Sequence, residues 1–162
     1  KDNFTVDNHR GYLTNVTFET NGTRPITEEL RLLIKSDIIV HNTEYFFSVS
    51  PKIWSTSGEK DRICPEIVKG YYDAQQFFPF KSTGQLKFVC NGSLTSWCEI
   101  ENAIDQFRDA GVKWPIWIMP VGATEESQNE DIVAEIAEET MDRGWNVAAR
   151  VHCYIWGNQI GT

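Results

Sequence analysis

The sequence predicts an α/β domain built on a mainly parallel sheet, and three observations carry that prediction. Short β-branched and aromatic runs alternate with amphipathic helical segments, the pattern of repeated βα units. Runs such as Ile116-Trp117-Ile118-Met119 are apolar at every position, as strands covered on both faces are. Several strands also stop abruptly in polar groups. Val16-Thr17-Phe18 runs into Glu19-Thr20-Asn21-Gly22-Thr23, and Phe47-Ser48-Val49 runs into Ser50-Pro51-Lys52. Barrels and open α/β sheets bind ligands at the carboxyl ends of their strands, so these termini point to one shared site.

The strands expected are residues 14–20, 44–49, 86–90, 115–120 and 147–156, with 37–41 as a further candidate. After Pro25, the residues Ile26, Leu30, Leu33 and Ile34 recur at helical spacing. Ser96-Trp97-Cys98-Glu99 reads as a capping box ahead of Ile100, Ala103, Ile104 and Phe107, with Gly111 as the stop. Ser127-Gln128-Asn129-Glu130 reads as a second box, opening a helix with Ile132, Val133, Ile136, Ala137 and Met141 inward and Gly144 at its end. A shorter helix fits 65–73, and Ser55 to Lys60 reads as an exposed loop. Neither an internal repeat nor a domain boundary interrupts residues 1–162, so a single domain is expected.

Composition narrows the function classes. With 41% apolar and 23% charged residues the chain has the balance of a globular protein. A net charge of −8 without a Lys/Arg cluster argues against a nucleic-acid surface. No apolar run approaches the roughly 18 residues of a membrane span, and no signal-peptide pattern is visible, so a cytoplasmic protein without membrane partners is expected. Cys64, Cys90, Cys98 and Cys153 form no CxxC or CxxxCxxC, hence no local metal or cluster motif. Asn3, Asn15, Asn21 and Asn91 head N-glycosylation tripeptides, which with an even cysteine count would fit a secreted disulfide protein. The plainer reading makes the cysteines small buried apolar residues.

Candidate chemistry gathers at the strand ends. Glu19 and Asn21 share one side of their strand, and a carboxylate beside an amide suits a ligand's ammonium or hydroxyl groups. The same residues equally make a strand-to-helix turn, with Asn21-Gly22 in unusual dihedrals and Thr23 capping the next helix. Ser50 and Lys52 offer a hydroxyl and a cation for a carboxylate or sugar, although a surface lysine after a turn looks the same. Lys87 lies in the buried run Leu86-Lys87-Phe88-Val89 and needs either a partner or a route outward. If 147–156 is a strand, Arg150 and His152 share a face and meet an anionic ligand together.

In order, Glu19-Thr20-Asn21-Gly22-Thr23, Ser48-Val49-Ser50-Pro51-Lys52, Gln85-Leu86-Lys87-Phe88-Val89, Trp117-Ile118-Met119-Pro120-Val121-Gly122 and Arg150-Val151-His152 through Trp156-Gly157-Asn158 resemble a known set. The series is similar to the 7-carboxy-7-deazaguanine synthases, radical S-adenosyl-L-methionine lyases of deazapurine (queuosine) biosynthesis. The likeness runs from about Thr14 to Thr162 and is weakest over 53–82. It implies a partial (β/α) barrel of the radical S-adenosylmethionine type, carrying a 4Fe–4S cluster and assisted by Mg2+. The implied reaction converts 6-carboxy-5,6,7,8-tetrahydropterin to 7-carboxy-7-deazaguanine. By this likeness Glu19, Asn21, Ser50 and Lys52 position S-adenosyl-L-methionine, Met119 and Pro120 line its adenine, and His152, Arg150 and the carboxylate of Thr162 meet the pterin.

The family's CxxxCxxC loop and its GGEP-type strand have no counterpart in this sequence. The expectation is therefore a C-terminal portion that lacks the first βα units. It would be inactive alone and depend on an N-terminal part that supplies the cysteines, or on a homo-oligomer that covers the open side. The competing expectation is a cluster-less remnant that binds a ligand or a protein without catalysis.

Overall fold

The computed structural model describes residues 15–41, 43–75, 84–128 and 131–156. Five strands form one sheet: β1 (Asn15–Thr20), β2 (Glu44–Val49), β3 (Gly84–Cys90), β4 (Ile116–Pro120) and β5 (Asn146–Val147). All four pairings are parallel, and the strands lie side by side in chain order. Helices fill the connections: α1 (Glu28–His41), α2 (Trp54–Ser57), α3 (Pro65–Ala74), α4 (Leu94–Asp109), α5 (Glu125–Gln128), α6 (Asp131–Asp142) and α7 (Val151–Trp156). The chain is thus α/β with a parallel sheet, as expected.

Strand order decides how the layers stack. A doubly wound sheet reverses its order part-way and so places helices on both faces. Consecutive order with right-handed crossovers puts every helix on the same face. One core cluster reflects this: Tyr45, Phe47 and Val49 of β2, Leu86, Phe88 and Cys90 of β3, and Ile116 and Ile118 of β4 meet Ile34, Val68, Tyr71, Ile100, Phe107 and Ile136 from the helices. Phe47 is its hub, stacked on Phe18 at 4.9 Å and on Tyr71 at 5.0 Å between ring centroids. The opposite face carries Glu19, Ser48, Gln85, Lys87, Trp117 and Met119, set by a register that pairs Glu19 with Ser48, Ser48 with Gln85, and Lys87 with Trp117. That face is only partly covered. Trp117 and Met119 are half-buried, so the continuous apolar run in β4 does not mark a strand enclosed on both sides.

Two tight turns repeat at the strand exits. After β1, the Asn21 Oδ1 accepts from both the amide and the hydroxyl of Thr23, at 3.2 and 2.7 Å. After β3, the Asn91 Oδ1 accepts from the amide and hydroxyl of Ser93, at 3.0 and 2.7 Å. The glycine between them is left-handed in each, φ 76° at Gly22 and 78° at Gly92. A Cβ on Gly22 would meet Val49 and Val68 at 2.9 Å, and one on Gly92 would meet Ile132 at 2.7 Å. Two of the four glycosylation-like tripeptides are therefore Asx turns in which the hydroxyl residue serves the asparagine. No disulfide joins the four cysteines, and Cys90 and Cys153 are buried, Cys64 half-buried and Cys98 exposed.

Several expected elements shift, each for a local reason. The strand expected over 147–156 ends at Val147, because Ala148 makes the last ladder bond, donating to the Ile118 carbonyl at 2.8 Å. The amide of Cys153 then closes on the Arg150 carbonyl, and Val151–Trp156 is helical. A short apolar run does not by itself separate strand from helix. Residues 37–41 likewise belong to α1. The cap of α4 is Ser93, which accepts from the Ser96 amide at 3.1 Å, because the Asn91-Gly92 turn delivers the chain three residues before the expected box. Of the second box, Ser127 and Gln128 belong to the separate short α5, where Thr124 and Ser127 exchange hydrogen bonds, 129–130 lie outside the described residues, and the expected helix is α6 from Asp131. Thr27, with its hydroxyl accepting from Leu30, caps α1 in place of Thr23. Leu33 and Met141, expected inward, are 53% and 60% exposed. Of the loop expected over Ser55 to Lys60, residues 55–57 belong to the short α2.

Candidate functional site

At the carboxyl ends of β1, β2 and β3 lies a cleft of about 290 Å³ lined by Glu19, Thr20, Asn21, Ser48, Ser50, Lys52 and Lys87. Alternation along β1 brings Glu19 to the face away from the helices, and pairing sets Ser48 beside it. The amide of Ser50 donates to the Thr20 carbonyl at 2.7 Å, which carries the parallel ladder one residue beyond β2 and fixes Ser50 against the end of β1. Pro51 is buried and turns the chain, so Lys52 emerges over the strand ends. Lys87 comes from the third strand on the same face, which settles its direction: it reaches the cleft rather than a buried partner.

The donor set is balanced and uncommitted. Glu19 is exposed, and among the described residues no ion pair engages Glu19, Lys52 or Lys87. The hydroxyl of Ser48, 3% exposed, accepts from the Gln85 amide at 3.0 Å and forms a fixed floor. Asn21 serves two purposes. Its carbonyl oxygen is consumed by the turn to Thr23, which leaves its amide NH2 to line the cleft. A carboxylate, two ammonium groups, hydroxyls and an amide in one cleft can hold a zwitterionic head beside a polyol, with each ligand charge meeting its opposite.

Of the residues singled out in the sequence, Glu19, Asn21, Ser50 and Lys52 therefore converge. Thr20 and Ser48 join them; the signal for Ser48 was a lone hydroxyl in an apolar strand two residues before Ser50. Met119 lies on the cleft's face of the sheet but in β4, and it does not line the cleft. Pro120 is buried on the other face, paired with Cys90, so it sits away from the cleft. The face shared by Arg150 and His152 dissolves with the strand that would have made it: Arg150 precedes α7 and His152 is within it. The Arg150 Nε is buried with no hydrogen-bond partner among the described residues. Thr162 lies outside the described residues.

No described group of three or more His, Cys, Asp or Glu residues could hold a metal ion. Cys90 packs in the core, where burial raises its thiol pKa, so it is poorly suited to ligate as a thiolate. No helix among the described residues is long and apolar enough to cross a membrane. Comparison of the chain with family models, curated proteins and solved structures finds no match.

Proposed function

We propose that the carboxyl-end cleft binds S-adenosyl-L-methionine, and that the chain is the ligand-binding portion of a radical enzyme of the 7-carboxy-7-deazaguanine synthase type. The observation that carries this reading is the convergence of Glu19, Asn21, Ser50 and Lys52 at the ends of two adjacent parallel strands. In this reading Glu19 holds the ammonium of the methionyl group and Lys52 its carboxylate, while Ser50 and the Asn21 amide meet the ribose hydroxyls. When bound beside a reduced cluster, S-adenosylmethionine supplies a strong hydrogen-atom abstractor. The protein's own part is to orient the ligand and keep its charges paired.

The residues fit the ligand but not the cluster. Among the described residues no three cysteines group to hold a metal, and the sequence contains no CxxxCxxC. No chemical step is therefore assigned to this chain alone; catalysis would need a polypeptide carrying the cysteine loop. The pterin site retains only Arg150 and His152 as its candidates, now without a shared strand face, and Mg2+ has no described ligand cluster. The second reading, ligand binding without catalysis, needs only the strand-end cleft.

Formation of 5′-deoxyadenosine separates the two. The purified chain with reductant and S-adenosyl-L-methionine is expected to yield none, and addition of a polypeptide bearing CxxxCxxC is expected to restore it. Turnover by the chain alone would overturn the division of labour. No turnover in the mixture would leave the non-catalytic reading standing.

A further inference from the structure

The turn that follows β1 brings Thr20 and Asn21 to the strand-end cleft, and local bonds account only for its first half. The Gly22 amide donates to the Thr20 hydroxyl at 3.1 Å, and the amide and hydroxyl of Thr23 donate to the Asn21 Oδ1. Beyond Thr23 the chain passes through Arg24 and Pro25 outside any helix or strand, and α1 begins only at Glu28. The Arg24 carbonyl thus belongs to no ladder and no helix. It takes its partner from α3, far along the chain.

Two residues of α3, one helical turn apart, meet this turn from the core side. Val68 is fully buried and lies 2.9 Å from where a Cβ on Gly22 would stand, so the helix packs directly beneath the turn. Three residues on, the Tyr71 phenol donates to the Arg24 carbonyl. Burial pushes this phenol's pKa up, and hydrogen bonding to the Thr20 side chain and the Arg24 backbone draws it partly back. One hydroxyl thus links Thr20, at the start of the turn, to Arg24, at its end, with Asn21 between them. The ring that carries it is itself held fast. Tyr71 is 5% exposed and stacks on Phe47 at 5.0 Å, with 4° between the ring planes.

We propose that Tyr71 is a positioning residue of the strand-end cleft: its phenol closes the turn over residues 20–24 and so aims the Asn21 amide at the ligand. Tyr71 does not line the cleft, and its ring belongs to the core on the helical side of the sheet, so it acts only through the turn. The Asn21 carbonyl oxygen is already engaged by Thr23, which leaves the direction of its NH2 to the turn as a whole. A turn fixed before the ligand arrives spares the ordering cost of binding. The role rests on the S-adenosyl-L-methionine reading of the cleft. It draws nothing from the family likeness, which is weakest over the stretch that contains α3.

Titration calorimetry of S-adenosyl-L-methionine into the full chain tests this with Tyr71→Phe, which keeps the ring on Phe47 and removes only the hydroxyl. The wild type is expected to bind, and Tyr71→Phe to bind about fivefold more weakly. A double-mutant cycle separates positioning of Asn21 from a general loosening of the fold. Added to Asn21→Ala, the Tyr71→Phe change should weaken binding by less than about twofold; added to Lys52→Ala, it should exert its full effect. A thermal melt checks that each variant is folded. Equal affinity of the wild type and folded Tyr71→Phe would overturn the role of Tyr71 and leave the ligand reading intact, as would a full loss on top of Asn21→Ala. No binding by the wild type would instead overturn the ligand reading, and the role with it.

Discussion

The side-chain amide of Gln85 donates to the hydroxyl of Ser48 across 3.0 Å, between two residues that are register partners on adjacent parallel strands. The bond joins β2 to β3 on the face away from the helices and sets the Ser48 oxygen as the floor of the strand-end cleft. Gln85→Ala and Ser48→Ala are each expected to weaken S-adenosyl-L-methionine binding several-fold, since one such hydrogen bond contributes about 1 kcal/mol. The double variant should lose little beyond either single one, because both act through the same bond. Titration calorimetry on the four proteins measures this; additive losses would show that the two residues act separately.

The two Asn-Gly turns make a paired prediction. Alanine at Gly22 or Gly92 takes a Cβ into the left-handed region and drives it against Val49 and Val68, or against Ile132. Each change is expected to cost about 2 kcal/mol or more, from backbone strain together with overpacking. At Gly58, also left-handed but with nothing within 4 Å of an added Cβ, the cost should be smaller, about 1 kcal/mol. Urea unfolding of the three variants gives the order directly.

Core energetics centre on Phe47. Its ring stacks on Phe18 and Tyr71 and lies 6.3 Å from Trp114, joining β1, β2, α3 and the entry to β4. Phe47→Ala is expected to cost about 3–5 kcal/mol, at the upper end for core truncations. Leu33→Ala, on the exposed side of α1, should fall within about 0.5 kcal/mol of wild type.

Alkaline stability should report Tyr45. Burial and the 2.7 Å hydrogen bond to the Asp37 carboxylate push its phenol up to about 12. A folded pKa above the unfolded value near 10 means that the unfolded state releases this proton first. The contribution is therefore complete below pH 10 and is lost as pH rises from 10 to about 12. Tyr45→Phe should be less stable than wild type at pH 8 by about 1–2 kcal/mol, with the gap narrowing above pH 10. A constant gap across that range would mean that Tyr45 ionises alike in the folded and unfolded chains.

Much of this structure was legible in the residues, and the misreadings share a cause. Strand ends were visible because Glu19, Asn21, Ser50 and Lys52 interrupt apolar runs, and alternation alone put them on one side of the sheet. Residues 147–156 were misread because Val151, Cys153 and Ile155 suit a strand, while the decision belonged to the ladder, which stops at Ala148. The start of α4 lies three residues before the expected box because the Asn91-Gly92 turn delivers the chain at Ser93, whose hydroxyl caps the helix. The tie from Tyr71 to the strand-end turn left no trace in sequence, since it joins residues 47 apart in the chain.

The central claim is that the strand-end cleft binds S-adenosyl-L-methionine through Glu19 and Lys52. Calorimetric titration of that ligand into the wild type, Glu19→Ala and Lys52→Ala tests it most directly. Saturable binding by the wild type is expected, weakened about tenfold or more in each variant, since hydrogen bonds to charged groups contribute about 1.5–3 kcal/mol. No binding by the wild type, or equal affinity in all three folded proteins, would contradict the account.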